Sequence, residues 1–221
     1  MNVVNAIRKR RSIRSFQRKS IPKKLLLKIL ERARWAPSWG NTQPWKLYVL
    51  TGEKLARFRE ENRQRLVEGA FPSPEITMPS KWPEELKRRY SELGRRLLSS
   101  ISIKRDDKEG RNRYYAEMFS LFEAPCLIVM CIDRSLIHEY ALLDVGLMSQ
   151  TIALLAHEKG LGSCIMAAAV SYPELIRKYM PIPEGEIIAI GMVLGFPERR
   201  SPVNRFERQR APLEEILVWA E

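Results

Sequence analysis

Histidine is scarce in this chain, which has only His138 and His157 among its 221 residues. Two histidines at this separation cannot complete a mononuclear metal site by themselves, so we predict no bound metal. The scarcity also argues against a catalytic triad, because a triad needs a histidine beside both a nucleophile and an acid. A pair of carboxylates spaced as a general acid and a general base is missing as well.

Cysteine is nearly as scarce. Cys126, Cys131 and Cys164 all lie in apolar stretches, and none forms a C-x-x-C pair. An odd number of cysteines without metal-ligand spacing indicates buried, reduced thiols rather than disulfides. We therefore expect the protein to be cytoplasmic.

Long apolar runs and glycine-rich motifs are absent too. The first apolar run comes after residue 20 and is interrupted by Lys28, which is not the pattern of a signal peptide. We find no run of about 18 apolar residues and therefore expect no membrane span and no membrane partner. Gly160-Leu161-Gly162 is too sparse for a G-x-G-x-x-G dinucleotide fingerprint.

The overall composition is that of an ordinary soluble globular protein, with 45% apolar and 29% charged residues. The length suits a single domain, which we place at 1–221. Residues 53–122 differ in composition from their flanks, being polar, charged and interrupted by several prolines between 69 and 83. We interpret 53–122 as an inserted helical flap or lid.

Positive charge exceeds negative charge by 12, from 38 Lys and Arg against 26 Asp and Glu. Such an excess favours anionic partners. Most basic residues between Arg57 and Arg113 are interleaved with Glu, as on a solvated helix face. Nucleic-acid binding is the less favoured alternative, because aromatics do not interleave with the basic run and no helix-turn-helix is visible.

Hydrophobic periodicity predicts an α+β sandwich in which helices flank a mixed or mostly antiparallel central sheet. The predicted strands are 45–51, 126–132, 162–169, 187–194 and a short segment at 216–219. The predicted helices are 2–9, a helix capped by Ser20 and ended by Pro37, 53–68, 84–99, 111–122, a central buried helix at 140–159, and a helix capped by Ser171.

Three separated segments contain the side chains that suit a phosphorylated, aromatic ligand with a polar edge. Arg10-Arg11-Ser12-Ile13-Arg14 and Arg208-Gln209-Arg210 cluster guanidinium groups, which match phosphate oxygens bidentately. Between them, the turn-rich loop 36–45 offers Asn41 and Gln43, each able to donate and accept. Taken alone, each segment is equally consistent with a solvated helix end or an ordinary ordered turn.

The residues and the order of five segments resemble those of the FMN-dependent nitroreductase family. The segments are RRSIRSF, APSWGNTQPWKLYVLTG, GLGSCIMAA, IGMVLGFP and RQRAPLEEIL. The resemblance covers nearly the whole chain, and it is least firm over 53–122.

This resemblance implies an α+β homodimer that binds FMN at the subunit interface. It implies an enzyme that uses NADH or NADPH to reduce nitroaromatics, quinones or related electron-poor small molecules by a ping-pong mechanism. The flavin would perform the chemistry, so we assign no catalytic side chain. The alternatives are another flavin reaction on the same scaffold, such as dehydrogenation or reductive dehalogenation, and a non-catalytic flavin-binding protein.

The resemblance also implies which residues contact FMN. Some members have Glu-Gly where this chain has Met166-Ala167, so a contact there would be made by the backbone. Arg14 would face the pyrimidine edge of the ring. The implied set comprises the first segment (Arg10, Arg11, Ser12, Arg14), a loop that reaches FMN from the partner subunit in many members (Pro37, Ser38, Asn41, Gln43), Gln150 on the central helix, the strand residues Met166 and Ala167, and the phosphate-closing pair Arg208 and Arg210.

Overall fold

The computed structural model describes residues 2–221, which form seven α-helices around one four-stranded sheet. The strands are β1 (Trp45–Thr51), β2 (Cys126–Asp133), β3 (Gly162–Met166) and β4 (Glu186–Gly195). The helices are α1 (Val3–Lys9), α2 (Lys23–Ala33), α3 (Gly52–Val67), α4 (Glu84–Ser100), α5 (Lys108–Phe119), α6 (His138–Glu158) and α7 (Pro173–Tyr179).

The sheet has the strand order β1-β2-β4-β3, and all three neighbouring pairs are antiparallel. The predicted α+β sandwich is therefore confirmed. The mixed alternative is not seen among residues 2–221, apart from one isolated parallel bridge between Ser12 and Ser163. β2 and β4 are neighbours in the sheet although α6, β3 and α7 lie between them in sequence. Because the two strands are antiparallel, their pairing does not require a crossover helix.

Helices cover both faces of the sheet, which explains the uninterrupted apolar runs of β2 and β4. Ile128 and Met130 of β2 belong to the cluster packed by α2 and α6, whereas Leu127 and Val129 belong to the cluster packed by α3, α5 and α7. All four side chains are fully buried. The prediction of a strand buried on both faces is correct.

Helix α6 is apolar nearly all round, yet only one of its sides is buried. Met148 and Ile152 pack into the core, while Tyr140, Leu143 and Leu147 remain 44–65% exposed. The prediction of a wholly buried central helix is therefore wrong, since the chain leaves one apolar side uncovered. By length and mean hydropathy α6 could cross a membrane, but 44% of that stretch is buried in the protein, as in a core helix.

The segment predicted as an inserted flap is helical, but much of it belongs to the core. Helix α3 buries Leu55 and Phe58, and α5 buries Tyr114 and Phe119. Helix α4 contributes only Leu97 to the buried set. The part of 53–122 that lies outside the core is thus α4 and the proline-rich connection before it.

Three local predictions need correction. The strand predicted at 162–169 ends at Met166, because a 3-10 turn (Ala167–Val170) packs closely on Gly191, where an added Cβ would lie 2.6 Å from Ala169 Cβ. The apolar segment 216–219 forms no strand, since no described strand pairs with it. Ser20 and Ser171 do not cap helices: α2 begins after Pro22, and Ser171 Oγ donates to the Ala167 carbonyl.

Candidate functional site

The first basic segment runs along the outer edge of β3. The Ile13 N–H donates a 2.9 Å hydrogen bond to the Ser163 carbonyl oxygen. Gly162 permits this close approach, because a Cβ there would lie 2.5 Å from Ile13 Cγ1. Residues 10–14 are therefore held in an extended conformation against the sheet by backbone pairing.

The second basic segment folds back onto the first. The Arg208 guanidinium donates to the carbonyl oxygens of Arg8 and Arg10, at the end of α1. The Arg11 guanidinium donates to the Phe206 carbonyl and lies 5.8 Å from the Phe206 ring centroid. The N-terminal and C-terminal arginines thus border one basic crevice, and the cavity beside it is lined by Arg10 and Arg11 but not by Arg208 or Arg210.

The clustered guanidinium groups make this crevice electrostatically positive, and burial and their mutual repulsion both lower their pKa values. Burial lowers the pKa of Arg10, and Arg210 lowers it further. Burial likewise lowers the pKa of Arg11, with a contribution from Arg14, and that of Arg208, with a contribution from Arg11. Like charges this close are favoured when an anion lies between them.

A cavity of about 250 Å³ opens beside these arginines. Its lining includes Arg10, Arg11, Ser163 and two residues that sequence reasoning missed, His157 and Arg199. Arg10 Nε and His157 Nε2 are buried and have no hydrogen-bond partner within the protein. Buried polar atoms are rarely left unpaired, and an anion such as the FMN phosphate would supply the acceptor that the Arg10 Nε–H lacks.

Nothing in the sequence around His157 marks it as a functional residue. The fold brings it to the cavity that Arg10 and Arg11 also line. Its pKa is lowered by burial first and then by Arg10, Lys9 and Arg208. Asn204 was also missed. Its side chain accepts from the Arg14 N–H at 2.8 Å and donates to the Ser15 carbonyl at 2.8 Å, which fixes the backbone of the first basic segment.

Arg14, Ser12, Cys164 and Tyr114 are neighbours on the α5 side of β3. Burial raises the pKa of the Cys164 thiol, while Arg14 and a hydrogen bond with Ser12 oppose the shift. Burial also raises the pKa of Tyr114 to about 12, with Arg14 opposing. Arg14 is thus the cation in an otherwise apolar environment.

Met166 and Ala167 lie where β3 ends. Met166 is buried and pairs with Gly191 of β4, whereas Ala167 is partly exposed. Among the described residues, the outer edge of β3 is paired at one place, by the isolated bridge between Ser12 and Ser163. The backbone beyond Ser163 therefore has an edge that can contact a ligand.

The loop predicted to reach FMN is held at the beginning of α6. The Trp39 N–H donates to both carboxylate oxygens of Asp144, at 3.1 and 3.2 Å. Ser38 Oγ accepts from the Gln43 N–H at 2.9 Å, and Gln43 Nε2 donates to the Asn41 carbonyl at 3.1 Å. Pro37, Asn41 and Gln43 are exposed, and Ser38 is half-buried.

Within one chain, this loop and the arginine crevice are far apart. Asp144 binds the loop and His157 lines the cavity beside the arginines, and both residues lie on α6. At 1.5 Å per residue their positions along the helix are separated by roughly 20 Å. Gln150 lies between them on the exposed side of α6. The structure therefore brings the arginines of both termini together beside β3, and of the predicted residues only Arg10 and Arg11 line the cavity there, while the loop lies apart.

A second cavity, of about 340 Å³, adjoins the loop. Its lining is mainly apolar and includes Trp39, Pro44, Ile137 and Tyr140. The rings of Trp39 and Tyr140 are 6.1 Å apart at their centroids.

No cluster of three or more His, Cys, Asp or Glu side chains that could bind a metal ion is found in the part of the chain that the structure describes.

The chain is similar to known proteins over nearly its whole length. The model of the nitroreductase family matches residues 7–196. The 4-nitrobenzoate reductase of Pseudomonas putida is 32% identical over 205 residues, covering 91% of this chain and 88% of that protein. The chloronitrobenzene nitroreductase of Comamonas testosteroni is 33% identical over 220 residues, covering 96% of this chain and 94% of that protein.

Solved structures show the same similarity. The FMN and NADPH-dependent nitroreductase NfnB from Sphigopyxis sp. strain HMH superimposes with a TM-score of 0.95 at 30% identity, over 100% of both chains. The FMN-dependent NfnB from Mycobacterium smegmatis, solved in complex with NADPH, gives a TM-score of 0.92 at 25% identity, over 99% of this chain and 97% of that one.

Proposed function

This chain belongs to the nitroreductase family, and we propose that it is an FMN-dependent enzyme that uses NADH or NADPH to reduce nitroaromatic and similar electron-poor molecules. The observation that supports this most is the contact between the N-terminal and C-terminal arginines, together with the buried, unpaired Nε of Arg10, a residue that lines the cavity beside them. Relatives that act on nitrobenzoate and chloronitrobenzene supply the substrate class.

The protein's part in the reaction is binding, orientation and electrostatics. When bound, FMN supplies the two-electron exchange between the nicotinamide and the acceptor. Arg10, Arg210 and Ser12 hold the phosphate by charge-assisted hydrogen bonds, and Arg208 completes the basic cluster. Asn204 fixes the backbone of Arg14, whose positive charge would lie toward the pyrimidine edge and would stabilise negative charge on the ring.

The end of β3 supplies backbone donors rather than a side chain. Met166 and Ala167 would offer backbone N–H groups to the flavin ring, and an apolar Met side chain in place of an acidic one would not alter a backbone contact. The scarcity of histidine and the lack of a paired-carboxylate motif fit this proposal, because the reaction needs no side chain as a nucleophile or general base. We therefore assign no catalytic residue.

We further propose a homodimer with FMN at the interface. One chain leaves the loop and the crevice roughly 20 Å apart along α6, so a second copy is needed to complete the site. Tyr140, Leu143 and Leu147 form an exposed apolar stripe on the helix that joins these two places. In an isologous dimer this stripe would meet its own copy. Pro37, Ser38, Asn41 and Gln43 would then face the FMN held by the other subunit.

The α4 region of 53–122 is proposed to shape the substrate pocket as a flap over the site. Trp82 and Tyr90 stack with ring centroids 6.3 Å apart and planes inclined by 15°. Both rings are more than two-fifths exposed, so they present an aromatic surface. A ping-pong mechanism, quinones as further acceptors and a cytoplasmic location belong to the same proposal.

Anaerobic titration tests the function directly. The FMN-loaded protein is titrated with NADH and, separately, with NADPH, and flavin absorbance is followed. We expect at least one nicotinamide to bleach the flavin, and 4-nitrobenzoate to restore the absorbance. Bleaching without recovery by any nitroaromatic or quinone would favour another flavin reaction, such as dehydrogenation or reductive dehalogenation. A bound flavin that neither nicotinamide bleaches would favour a non-catalytic flavin protein.

A further inference from the structure

Helix α4 is joined to the C-terminal segment by two ion pairs that bracket Arg208 and Arg210. Arg96 Nη1 lies 3.1 Å from Glu207 Oε2, directly before Arg208. Arg89 Nη2 lies 2.6 Å from Glu215 Oε2, beyond Arg210. The basic pair is therefore fixed on both sides by the same helix.

The arginines of α4 are themselves held in place. Arg96 Nε donates to Glu92 one turn earlier at 2.7 Å, and Arg89 donates to Glu85. Hydrogen bonds from Arg95 and then Arg96 lower the pKa of Glu92 to about 2, so this carboxylate is ionised at neutral pH. A planar guanidinium shared between two carboxylates has a fixed orientation. The arginine of each ion pair to the C-terminal segment is therefore already held in place by a carboxylate of α4.

Arg208 fixes the other side of the crevice. Its guanidinium donates to the carbonyl oxygens of Arg8 and Arg10, which lie at the C-terminal end of α1. Cations favour this end of a helix, where carbonyl groups lack partners. Arg210 is used differently: its one hydrogen bond among the described residues goes to the carbonyl of the adjacent Gln209, and its side chain is exposed.

We propose that Arg208, Arg96 and Arg89 are positioning residues for the FMN phosphate, which is contacted by Arg10 and Arg210. The two ion pairs hold 207–215 in place before the ligand arrives, and Arg208 ties this segment to the end of α1. Pre-organisation of this kind improves affinity without a new contact to the ligand. The inference rests on the proposed function, since the phosphate is that of FMN.

The ion pairs are tested with neutral substitutions in apo-protein. The double variant Glu207→Gln/Glu215→Gln removes both, and Glu214→Gln is the matched control, since Glu214 makes no ion pair among residues 2–221. Dissociation constants for FMN and for riboflavin, which lacks the phosphate, are measured by flavin fluorescence. Thermal melting confirms that each variant is folded.

We expect the double variant to weaken FMN about three- to tenfold, since an exposed pair shifts an equilibrium by about fivefold or less. Riboflavin affinity and Glu214→Gln should stay within about twofold of the parent. A merely structural role would weaken both flavins alike. If the ratio of FMN to riboflavin affinity is unchanged in the double variant, the positioning role is wrong. If the parent itself does not bind FMN, the proposed function fails instead.

A double-mutant cycle assigns the effect to the pair. With Arg96→Gln and Glu207→Gln, the combined variant should bind FMN no more weakly than either single variant, because both remove the same interaction. Fully additive losses would contradict a paired role.

The role of Arg208 is separated by Arg208→Lys. A lysine keeps the charge but lacks the fork that reaches two carbonyls. We expect Arg208→Lys to weaken FMN nearly as much as Arg208→Gln does. Parental affinity in Arg208→Lys would show that Arg208 acts on the phosphate by charge and does not position α1.

Discussion

Arg208 Nη2 donates a 2.7 Å hydrogen bond to the carbonyl oxygen of Arg8, so the two ends of the chain meet. This contact places two basic segments side by side, where burial first and then repulsion from Arg11 and Arg210 lower the pKa of Arg208. An anion bound in the crevice removes that repulsion, and any ligand that binds only the folded state stabilises it.

Removing the C-terminal pair, in Arg208→Ala/Arg210→Ala, should weaken FMN binding. Arg210 would lose a charge-assisted hydrogen bond to the phosphate, worth about 1.5–3 kcal/mol, and Arg208 would lose the contacts that position its segment, so we expect a loss of roughly tenfold to several hundredfold. Fluorescence titration of apo-protein measures it. The matched control is Arg57→Ala/Arg113→Ala, which removes two exposed arginines of α3 and α5. Equal FMN affinity in the first variant and the parent would exclude Arg208 and Arg210 from the site.

Replacing Leu143 by Glu should separate the subunits. Leu143 is 65% exposed in the centre of the apolar stripe on α6, and a carboxylate buried there without a partner is unfavourable. Sedimentation equilibrium should show a monomer, and FMN affinity should fall with it. Leu27→Glu, at a 56% exposed leucine of α2, is the control and should stay dimeric. A Leu143→Glu monomer with parental FMN affinity would contradict an interface site.

Gly162→Ala should push the first basic segment away from β3. The new Cβ would lie 2.5 Å from Ile13 Cγ1, so the Ile13–Ser163 hydrogen bond cannot keep its geometry. We expect a loss of about 1–3 kcal/mol in unfolding free energy by urea titration, together with weaker FMN binding. Adding Ile13→Ala should recover only part of the FMN affinity, because it removes Cγ1 and Cγ2 but leaves the Ile13 Cβ, which would lie 2.9 Å from the new Cβ. Gly185→Ala, with open space around it, should change neither quantity.

The stability of the apo-protein should fall in mildly acidic solution because of His157. Burial and the nearby Arg10 lower its pKa in the folded state below the usual 6.5, so the unfolded chain takes up the proton first. Unfolding free energy therefore decreases as pH falls through about 6.5 and levels off below the folded-state pKa. Urea titrations at several pH values should show a smaller decrease for His157→Gln. An identical pH dependence in both proteins would contradict this assignment.

Glu75→Gln should destabilise the proline-rich connection. The Glu75 carboxylate lies 3.0 Å from both Arg177 Nη2 and Arg134 Nη2, and it accepts from the Ile188 N–H at 2.6 Å. Loss of this charge should cost about 1–3 kcal/mol, measured by urea titration. Glu84→Gln, at an exposed i,i+3 pair of α4, should change stability by about 0.5 kcal/mol or less. Equal effects of the two substitutions would show that the Glu75 contacts are not stabilising.

Much of the fold follows from the sequence. The uninterrupted apolar runs of β2 and β4 and the alternating pattern of β1 predicted these strands within one residue at each end. The exposed side of α6 was not predictable in the same way. A helix that is apolar all round gives no periodic signal for which side faces the core, and the side with Tyr140 and Leu143 stayed uncovered.

The candidate site is predictable in part for a similar reason. Arginine clusters such as Arg10–Arg14 are visible as local runs, but their meeting with Arg208 depends on a contact between the two ends of the chain. His157 and Asn204 give no local signal, because their roles arise from long-range packing. The capping predicted for Ser171 was wrong because its hydroxyl bonds back to Ala167, a choice that local pattern does not determine.

The central claim is that arginines from both ends of the chain hold a phosphate. The most direct test compares FMN with riboflavin, which shares the ring and lacks the phosphate, in titrations of the unmodified apo-protein. Two or more charge-assisted hydrogen bonds predict that FMN binds about 100-fold tighter or more. Equal affinity for the two flavins would contradict the account.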